Sequence, residues 1–349
     1  MKAAVYYGIG DIRPEEIEKP KISKDEILIK VKACAICGTD IRIYKFGHFK
    51  IPKGVKRILG HEISGEIVEV GSDVKDYTIG QRVVIPPNVG CGKCEMCKQG
   101  FNQLCANYEA FGISWDGGFA EYMKVPGHAI KVGNVMLIPE NLSYDEAALC
   151  EPLSCCYNSY KALNTKPGDT VVIIGAGPIG VLHAMINKIA GATKIIMVDI
   201  IDSRLAEVEA MGVADLLVNS MKTDLKEVMN KETKGLGADV VITANSVPAI
   251  QQLALEIAAV HGRISFFGGM PKGKEEVTLN TNLIHYKELI VLGTTGSSLQ
   301  DVVHSIYIAA SDRMDLKPIV TKKFTIDECN AAFEYAASGE GLKALIVNE

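Results

Sequence analysis

The sequence predicts a two-domain α/β protein in which a β-rich, barrel-like domain is joined to a doubly wound parallel sheet, and three observations predict it. The chain has 349 residues, 48% apolar and 23% charged, which is more than one hydrophobic core usually holds. Residues 1–150 carry short β-type runs (EILIKVKA, ISGEIVEVG, QRVVIP) parted by Gly, Pro and Asp, with little helical periodicity. From Gly168 onward, strand and helix patterns alternate, and such alternation predicts a parallel sheet covered on both faces.

The alternating region reads in order as TVVIIG, a helical stretch, KIIMVD, a helix through Arg204 to Met211, ADLLVN, another helix, ADVVITA, a helix from Pro248 to Ala259, and GRISFFGG. The apolar stretch VVIIGAGPIGVLHAMINKIAGA, residues 171–192, is long enough to suggest a membrane span. It contains Gly175, Gly177, Pro178, Gly180, His183 and Lys188, so a buried strand followed by a buried helix fits it better. After about residue 290 the pattern loosens, and the tail VTKKFTIDECNAAFEYAASGEGLKALIV carries a helix and a β-branched end that is expected to return to the first domain.

A formal charge of -5 and a pI near 5.9 give no global field for phosphate backbones or acidic membranes, which counts against nucleic acid and membrane partners. The start MKAAVYYGIGDIRPEE has no apolar core or small-residue cleavage site, so a reducing, cytoplasmic setting is expected for the ten cysteines. Metal is then the expected partner of clustered thiols, in preference to disulfides.

GAGPIG, residues 175–180, sits between a strand and a helix, where each glycine has a mechanical role. Gly175 permits the turn, Gly177 lets a pyrophosphate approach the backbone, and Gly180 brings helix and strand together; Pro178 and Ile179 open the helix whose free N–H groups face the anion. The next strand ends in Asp199, nineteen residues after Gly180, where a carboxylate accepts hydrogen bonds from ribose hydroxyls. The same carboxylate repels a 2′-phosphate and is followed by Ile200, which favours NAD over NADP.

Cys91, Cys94, Cys97 and Cys105 have the spacing C-x2-C-x2-C-x7-C, with Gly92, Lys93 and Gly100 to turn the chain around one tetrahedral zinc. Such a closed set leaves no position for substrate and reads as structural. An iron–sulfur cluster is the competing reading, and a nucleic-acid-reading zinc module lacks its basic domain and histidines. A second constellation combines Cys37 in CAICGTD, His61 and Glu62 in LGHEISG, and Glu151 in CEPLSC. Taken singly these are ordinary buried residues; together they form the ligand set of a catalytic zinc with an open position.

ICGTD, GHEISGEIVEVG, the 91–105 lobe, DGGFAEY, EPLSC and GAGPIG occur in the order and spacing of the zinc-containing medium-chain alcohol dehydrogenase superfamily, which the chain resembles over essentially its whole length. Within it the chain is similar to the polyol dehydrogenases, the sorbitol and L-iditol 2-dehydrogenase group with its sugar-alcohol-phosphate relatives, through EPLS, FFGGMPKG and IHYKEL. The resemblance implies a GroES-like catalytic domain from residues 1–153 and 291–349, a Rossmann domain from 154–290, an active site in the cleft, and a homodimer or homotetramer. It also implies two zincs per chain. Cys37 and His61 would hold the catalytic one with Glu62 and Glu151, directly or through bound water; adjacent side chains diverge, so His61 and Glu62 share a metal only if the backbone turns there. Thr39 is placed like the hydroxyl that starts the proton relay, although a turn-capping threonine would look the same. Arg204 resembles the residue near adenine, and Gly293, Thr294 and Thr295 the strand end facing nicotinamide. The implied reaction is zinc-assisted, reversible hydride transfer from a secondary alcohol to NAD.

Two departures bear on the substrate. CGTDIR has Arg42 where many relatives carry a histidine, and GTTGSS offers Gly296 where animal-type sorbitol dehydrogenases carry a polyol-binding arginine. CGTDIRIYKF also resembles threonine 3-dehydrogenases, and a butanediol-type diol is a further alternative. A redox-inactive NAD-binding sensor is the alternative of a different class, and the intact metal constellation argues against it. Between Asp40 and Glu62 stand Arg42, Lys45, His48, Lys50, Lys53, Lys56 and Arg57 without a carboxylate, which is either a phosphate-binding segment for a sugar-alcohol phosphate or a solvated basic loop.

Overall fold

The structure, a computed structural model, describes residues 1–348 and divides into two compact units, Met1–Ser154 with Gly296 onward, and Cys155–Thr295. The sequence expectation placed the second division after residue 290. Ile290–Leu292 instead pairs with Ala258–Ser265 as the last strand of the parallel sheet, so the division falls five residues later.

The first unit is built on a seven-stranded sheet. Its central strand Ile27–Ala35 pairs antiparallel with Glu62–Val70, Tyr122–Val125 and Lys343–Val347. Alternation is weak in ILIKVKACA because most of its residues are buried, as expected of a strand covered on both sides. The tail returns as a strand, a helix and a strand: Val320–Phe324, Cys329–Ser338 and Lys343–Val347, the last lying between Ile27–Ala35 and Val320–Phe324. This pairing carries Lys343, at the start of its strand, to the level of Ile36, whose carbonyl accepts from its ammonium at 3.2 Å. The helix Gly38–Phe46 was not read from the sequence, because only Asp40 and Ile43 are buried in it and nine residues give no clear period.

The second unit contains six parallel strands in the order Leu216–Asn219, Lys194–Asp199, Thr170–Ile174, Ala238–Thr243, Ala258–Ser265, Ile290–Leu292. Numbered within the unit this is 3-2-1-4-5-6, which puts the switch in strand order beside the strand that leads into GAGPIG. The apolar stretch divides as expected into the strand Thr170–Ile174 and the helix Pro178–Ile189, and among the described residues no helix is long and apolar enough to cross a membrane. The helix expected to reach Ala259 ends at Ile257, because Ala258 already pairs with Ala238.

Burial is so complete in this unit that His183, on the helix Pro178–Ile189, is 0% exposed, and neither ring nitrogen has a protein partner. Its ring stands edge-on to Phe267 at 4.6 Å, and burial pushes its pKa down to about 3. The folded state therefore holds it neutral, while the unfolded chain takes up a proton below its ordinary value near 6.5. Stability from this residue is present above that pH and falls toward about pH 3, by about 1.4 kcal/mol per pH unit. His183→Leu should gain on the wild type by about 2 kcal/mol between pH 7.5 and pH 5 in urea unfolding. An unchanged difference would show that the imidazole is solvated.

Candidate metal centres and dinucleotide site

Left-handed glycines shape the four-cysteine lobe: Gly92 at φ +71° and Gly100 at φ +86° turn the chain on either side of the short helix Glu95–Lys98. The four sulfurs lie within 4.8 Å of one another, and Cys94 Sγ and Cys105 Sγ are 3.8 Å apart. Tetrahedral zinc with bonds of about 2.3 Å separates its sulfurs by about 3.8 Å, so the arrangement fits the ion. Backbone N–H groups aimed at the sulfur, chiefly those of Lys93 and Cys94, lower the Cys91 pKa to about 6, whereas burial pushes that of Cys97 up to about 12, so the fit to zinc rests on the sulfur geometry.

The second group is assembled by the helix Gly38–Phe46 and the strand Glu62–Val70. Cys37 immediately precedes that helix, and Asp40, fully buried in its first turn, accepts the N–H of Cys37 at 2.9 Å and that of Gly60 at 3.3 Å. Gly60 has φ +90°, and a Cβ there would stand 2.7 Å from both Cys34 Sγ and Phe119, so only glycine fits this bend. The bend just before the strand brings neighbouring residues to one place: donor atoms of Cys37, His61 and Glu62 lie within 4.8 Å of one another. Glu151, buried in the first turn of the helix Cys150–Leu163, stands close enough to act electrostatically on Lys343 of the same group.

Two members of this site were not identified as functional from the sequence. Asp40 Oδ1 lies 3.2 Å from His61 Nδ1, near enough to pair with the imidazole by charge, although Nδ1 has no hydrogen-bond partner of good geometry. Burial opposes protonation of His61, but the negative charges of Asp40 and Cys37 outweigh it and hold its pKa well above the ordinary value. A field that favours positive charge on this buried imidazole also favours a metal cation beside it. Lys343, 4% exposed, binds both carboxylate oxygens of the fully buried Glu62, at 2.6 Å to Oε2. Burial alone would lower the Lys343 pKa; Glu62, then Cys37 and Glu151, raise it. The ammonium thus supplies positive charge to a pocket that is otherwise anionic.

In the parallel sheet, Gly175 has φ +122° and packs on Ala244, and a Cβ at Gly180 would fall 1.8 Å from the Gly175 carbonyl oxygen. Nothing lies within 4 Å of a Cβ built on Gly177, the residue preceding the helix Pro178–Ile189, so the space above it is open for a phosphate. Asp199 ends its strand 8% exposed, with Oδ2 accepting from Ala176 N at 2.7 Å and Oδ1 from Ile200 N at 2.7 Å and Ile201 N at 3.0 Å. Arg204 Nη1 is 4.0 Å from the same carboxylate. Asp199 therefore also ties the glycine loop to the strand end, a structural duty that its spacing did not reveal.

The alcohol dehydrogenase GroES-like domain model matches residues 23–135, and the zinc-binding dehydrogenase model residues 178–315. The chain belongs to the zinc-containing medium-chain alcohol dehydrogenases. Its relatives include an L-threonine 3-dehydrogenase from Pyrococcus abyssi, 35% identical over 99% of this chain and 97% of that protein. A sorbitol dehydrogenase from Bacillus subtilis is 34% identical over the same shares. Among solved structures, a zinc-binding dehydrogenase from Sinorhizobium meliloti bound to NADP superposes with a TM-score of 0.89 at 31% identity, covering 99% of both chains. This dehydrogenase is thus an α/β enzyme of the alcohol-oxidising oxidoreductases, with a GroES-like domain and a Rossmann-like parallel sheet.

The remaining candidates in this dehydrogenase differ in how far the structure uses them. Thr39 is half-buried at the second position of its helix, and Cys37, not Thr39, is the cap residue. Thr294 Oγ1, just past the strand Ile290–Leu292, is buried without a protein partner, while Gly293 has only the Phe266 carbonyl near its Cβ position, at 3.7 Å. In the basic segment, Lys50 donates to the Tyr108 carbonyl, Lys56 to the Tyr7 hydroxyl at 2.5 Å, and Arg57 pairs with Asp116 at 3.0 Å. Three cations of that run therefore serve the fold; Arg42, Lys45 and Lys53 are exposed.

Purified protein should carry two zincs per chain, one for each donor group. Cys94→Ser should lose one and melt lower, whereas Cys37→Ser should lose the other and keep its fold; a single zinc in the wild type contradicts the two-site assignment. Lys343→Ala strands the buried Glu62 carboxylate, so the metal-free protein should lose about 3–5 kcal/mol. Zinc should restore more of that stability in the variant than it adds to the wild type. Equal losses with and without zinc in urea unfolding would rule out Lys343 as the counter-charge of this site.

Proposed function

We propose that this dehydrogenase reversibly oxidises a secondary alcohol of a polyol to the ketose, with NAD as hydride acceptor. The observation that carries the reading is the group of half-buried Cys37 with buried His61 and Glu62, with Lys343 bound to Glu62 and Glu151 acting on it. Cys37 and His61 would hold zinc with Glu151 and Glu62, directly or through a water; the Lys343 clamp makes Glu62 the more loosely committed of the two carboxylates. Zinc, when bound, supplies a Lewis acid that lowers the pKa of an alcohol and stabilises negative charge on its oxygen.

The chain's own residues divide the rest of the work. Asp40 lies against the imidazole of His61 and favours positive charge there, and Lys343 offsets one buried carboxylate, so the group is not overloaded with negative charge. By resemblance Thr39, half-buried in the first turn of its helix, would pass the alcohol proton outward, with Arg42 where many relatives carry a histidine. Gly175, Gly177 and Gly180, with Pro178 and Ile179, would seat the pyrophosphate; Asp199 would accept the ribose hydroxyls and Arg204 line the adenine. Gly293, Thr294 and Thr295 would face the nicotinamide, and the unpartnered hydroxyl of Thr294 suits its carboxamide.

The polyol reading draws on EPLS, in which Glu151 occupies the place of a cysteine ligand, and on the sorbitol dehydrogenase relative. L-threonine is the second reading, supported by a relative of nearly equal identity. A phosphorylated polyol is less well supported, since Lys50, Lys56 and Arg57 already have partners in the fold. A homodimer or homotetramer belongs to the same proposal by family resemblance, and a reducing, cytoplasmic setting by the expected use of the clustered cysteines for metal.

The test is a panel of polyols, polyol phosphates, L-threonine and small diols, each with NAD and NADP, followed by nicotinamide absorbance. A polyol with NAD should give the highest kcat/KM; L-threonine as best substrate, or a preference for NADP, contradicts the reading. Asp199→Ala should lose NAD affinity and several degrees of Tm together, because the same carboxylate holds Ala176, Ile200 and Ile201.

A further inference from the structure

The four-cysteine lobe holds more than its own thiols. Asn102, in the turn Asn102–Leu104 between the third and fourth cysteines, is 8% exposed and uses both ends of its amide. Its Nδ2 donates to the Asn88 carbonyl at 2.8 Å, and its Oδ1 accepts the N–H of Leu299 at 3.0 Å. Leu299 begins the helix Leu299–Ala309, just after the chain re-enters the first unit at Gly296. Gly296, at φ +55°, is closed in by the same lobe: a Cβ there would stand 3.2 Å from Asn88 Nδ2 and 3.3 Å from Gln103 Cβ.

Ser297 lies between these two contacts. Its Oγ is 2.7 Å from Ser154 Oγ, and Ser154 Oγ is 2.6 Å from the carbonyl of Glu151. Ser154 Oγ is the donor toward both, so its one proton is shared between the Glu151 carbonyl and Ser297 Oγ, and Ser297 is the acceptor that holds the Ser154 hydroxyl in place. Ser154 is 0% and Ser297 5% exposed, so water does not readily replace either bond. The path from the lobe to Glu151 is continuous: Asn102 and Gln103, the backbone of residues 296–299, Ser297, Ser154, and the first turn of the helix that carries Glu151.

We propose that Asn102 and Ser297 are positioning residues through which the four-cysteine lobe fixes Glu151 at the Cys37–His61 group, so that the two metal positions are energetically coupled. The inference rests on the reading of Glu151 as part of that group. The lobe then serves the reaction centre through a hydrogen-bonded strap rather than only by stabilising its own loop.

The experiment follows zinc release from the purified holoenzyme into a chromogenic chelator. Cys37→Ser, which keeps only the lobe ion, identifies which phase of release belongs to the Cys37 site. Ser297→Ala and Asn102→Leu should each speed that phase by about fivefold, the size of one neutral hydrogen bond. The double variant should be little faster than either, since both break one path. Asn102→Asp, which keeps the acceptor for Leu299 N–H, should release more slowly than Asn102→Leu. In Ser297→Ala the lobe phase should not change. Release from the Cys37 site unchanged by Ser297→Ala, or both phases quickened alike, overturns the coupling. Glu151→Gln serves as reference: if it speeds release while Ser297→Ala does not, the strap fails and the reading of Glu151 stands. If Glu151→Gln itself changes nothing, that reading falls and this inference with it.

Discussion

A buried concentration of negative charge is the constraint on which the rest of the first unit depends. Asp40 and Glu62 are buried beside His61 and the half-buried Cys37, with Glu151 near enough to act on Lys343, and buried charges persist only if each is paired, hydrogen-bonded or bound to a cation. The fold supplies part of the compensation itself. Backbone N–H groups of Cys37 and Gly60 take up Asp40, and Lys343 takes up Glu62. What is left over is a cysteine sulfur, an imidazole and carboxylate oxygens, a donor set matched to a divalent ion of borderline softness.

The architecture follows from bringing those groups together. Cys37 lies at the end of the central strand, His61 and Glu62 at the start of its neighbour, and Lys343 at the start of the strand pairing on its other side. Strand register therefore sets the site: a one-residue slip of Lys343–Val347 would turn the ammonium away from Glu62 and expose its apolar partners. In the second unit the same economy applies to Asp199, which fastens the glycine loop with the carboxylate that is available to a ribose. Removing the Asp199 carboxylate would therefore loosen the glycine loop whatever else it does.

What could be read from the sequence was what is local in it. The cysteine spacing, the glycine loop followed by Asp199, and the alternation after Gly168 each lie within a few tens of residues, and their physical meaning is complete at that range. Lys343 could not be read this way: it lies 281 residues from Glu62, in a short apolar strand where one lysine resembles an edge residue. Asp40 was visible in CGTD, but its role depends on the Gly60 bend, which only tertiary packing against Cys34 and Phe119 creates. The basic run between Asp40 and Glu62 could be read two ways in sequence, because the partners of Lys50, Lys56 and Arg57, namely Tyr108, Tyr7 and Asp116, lie far away in the chain.

The most direct test of the central claim, that Cys37 and His61 with carboxylate help form a second zinc site distinct from the all-thiolate one, is zinc K-edge X-ray absorption of the fully loaded protein. The two donor groups predict an average first shell of about 2.5 sulfurs at about 2.3 Å and about 1.5 nitrogen or oxygen atoms at about 2.0 Å per zinc. A shell of four sulfurs alone would contradict the account, because it would leave the buried charge around His61 without its cation.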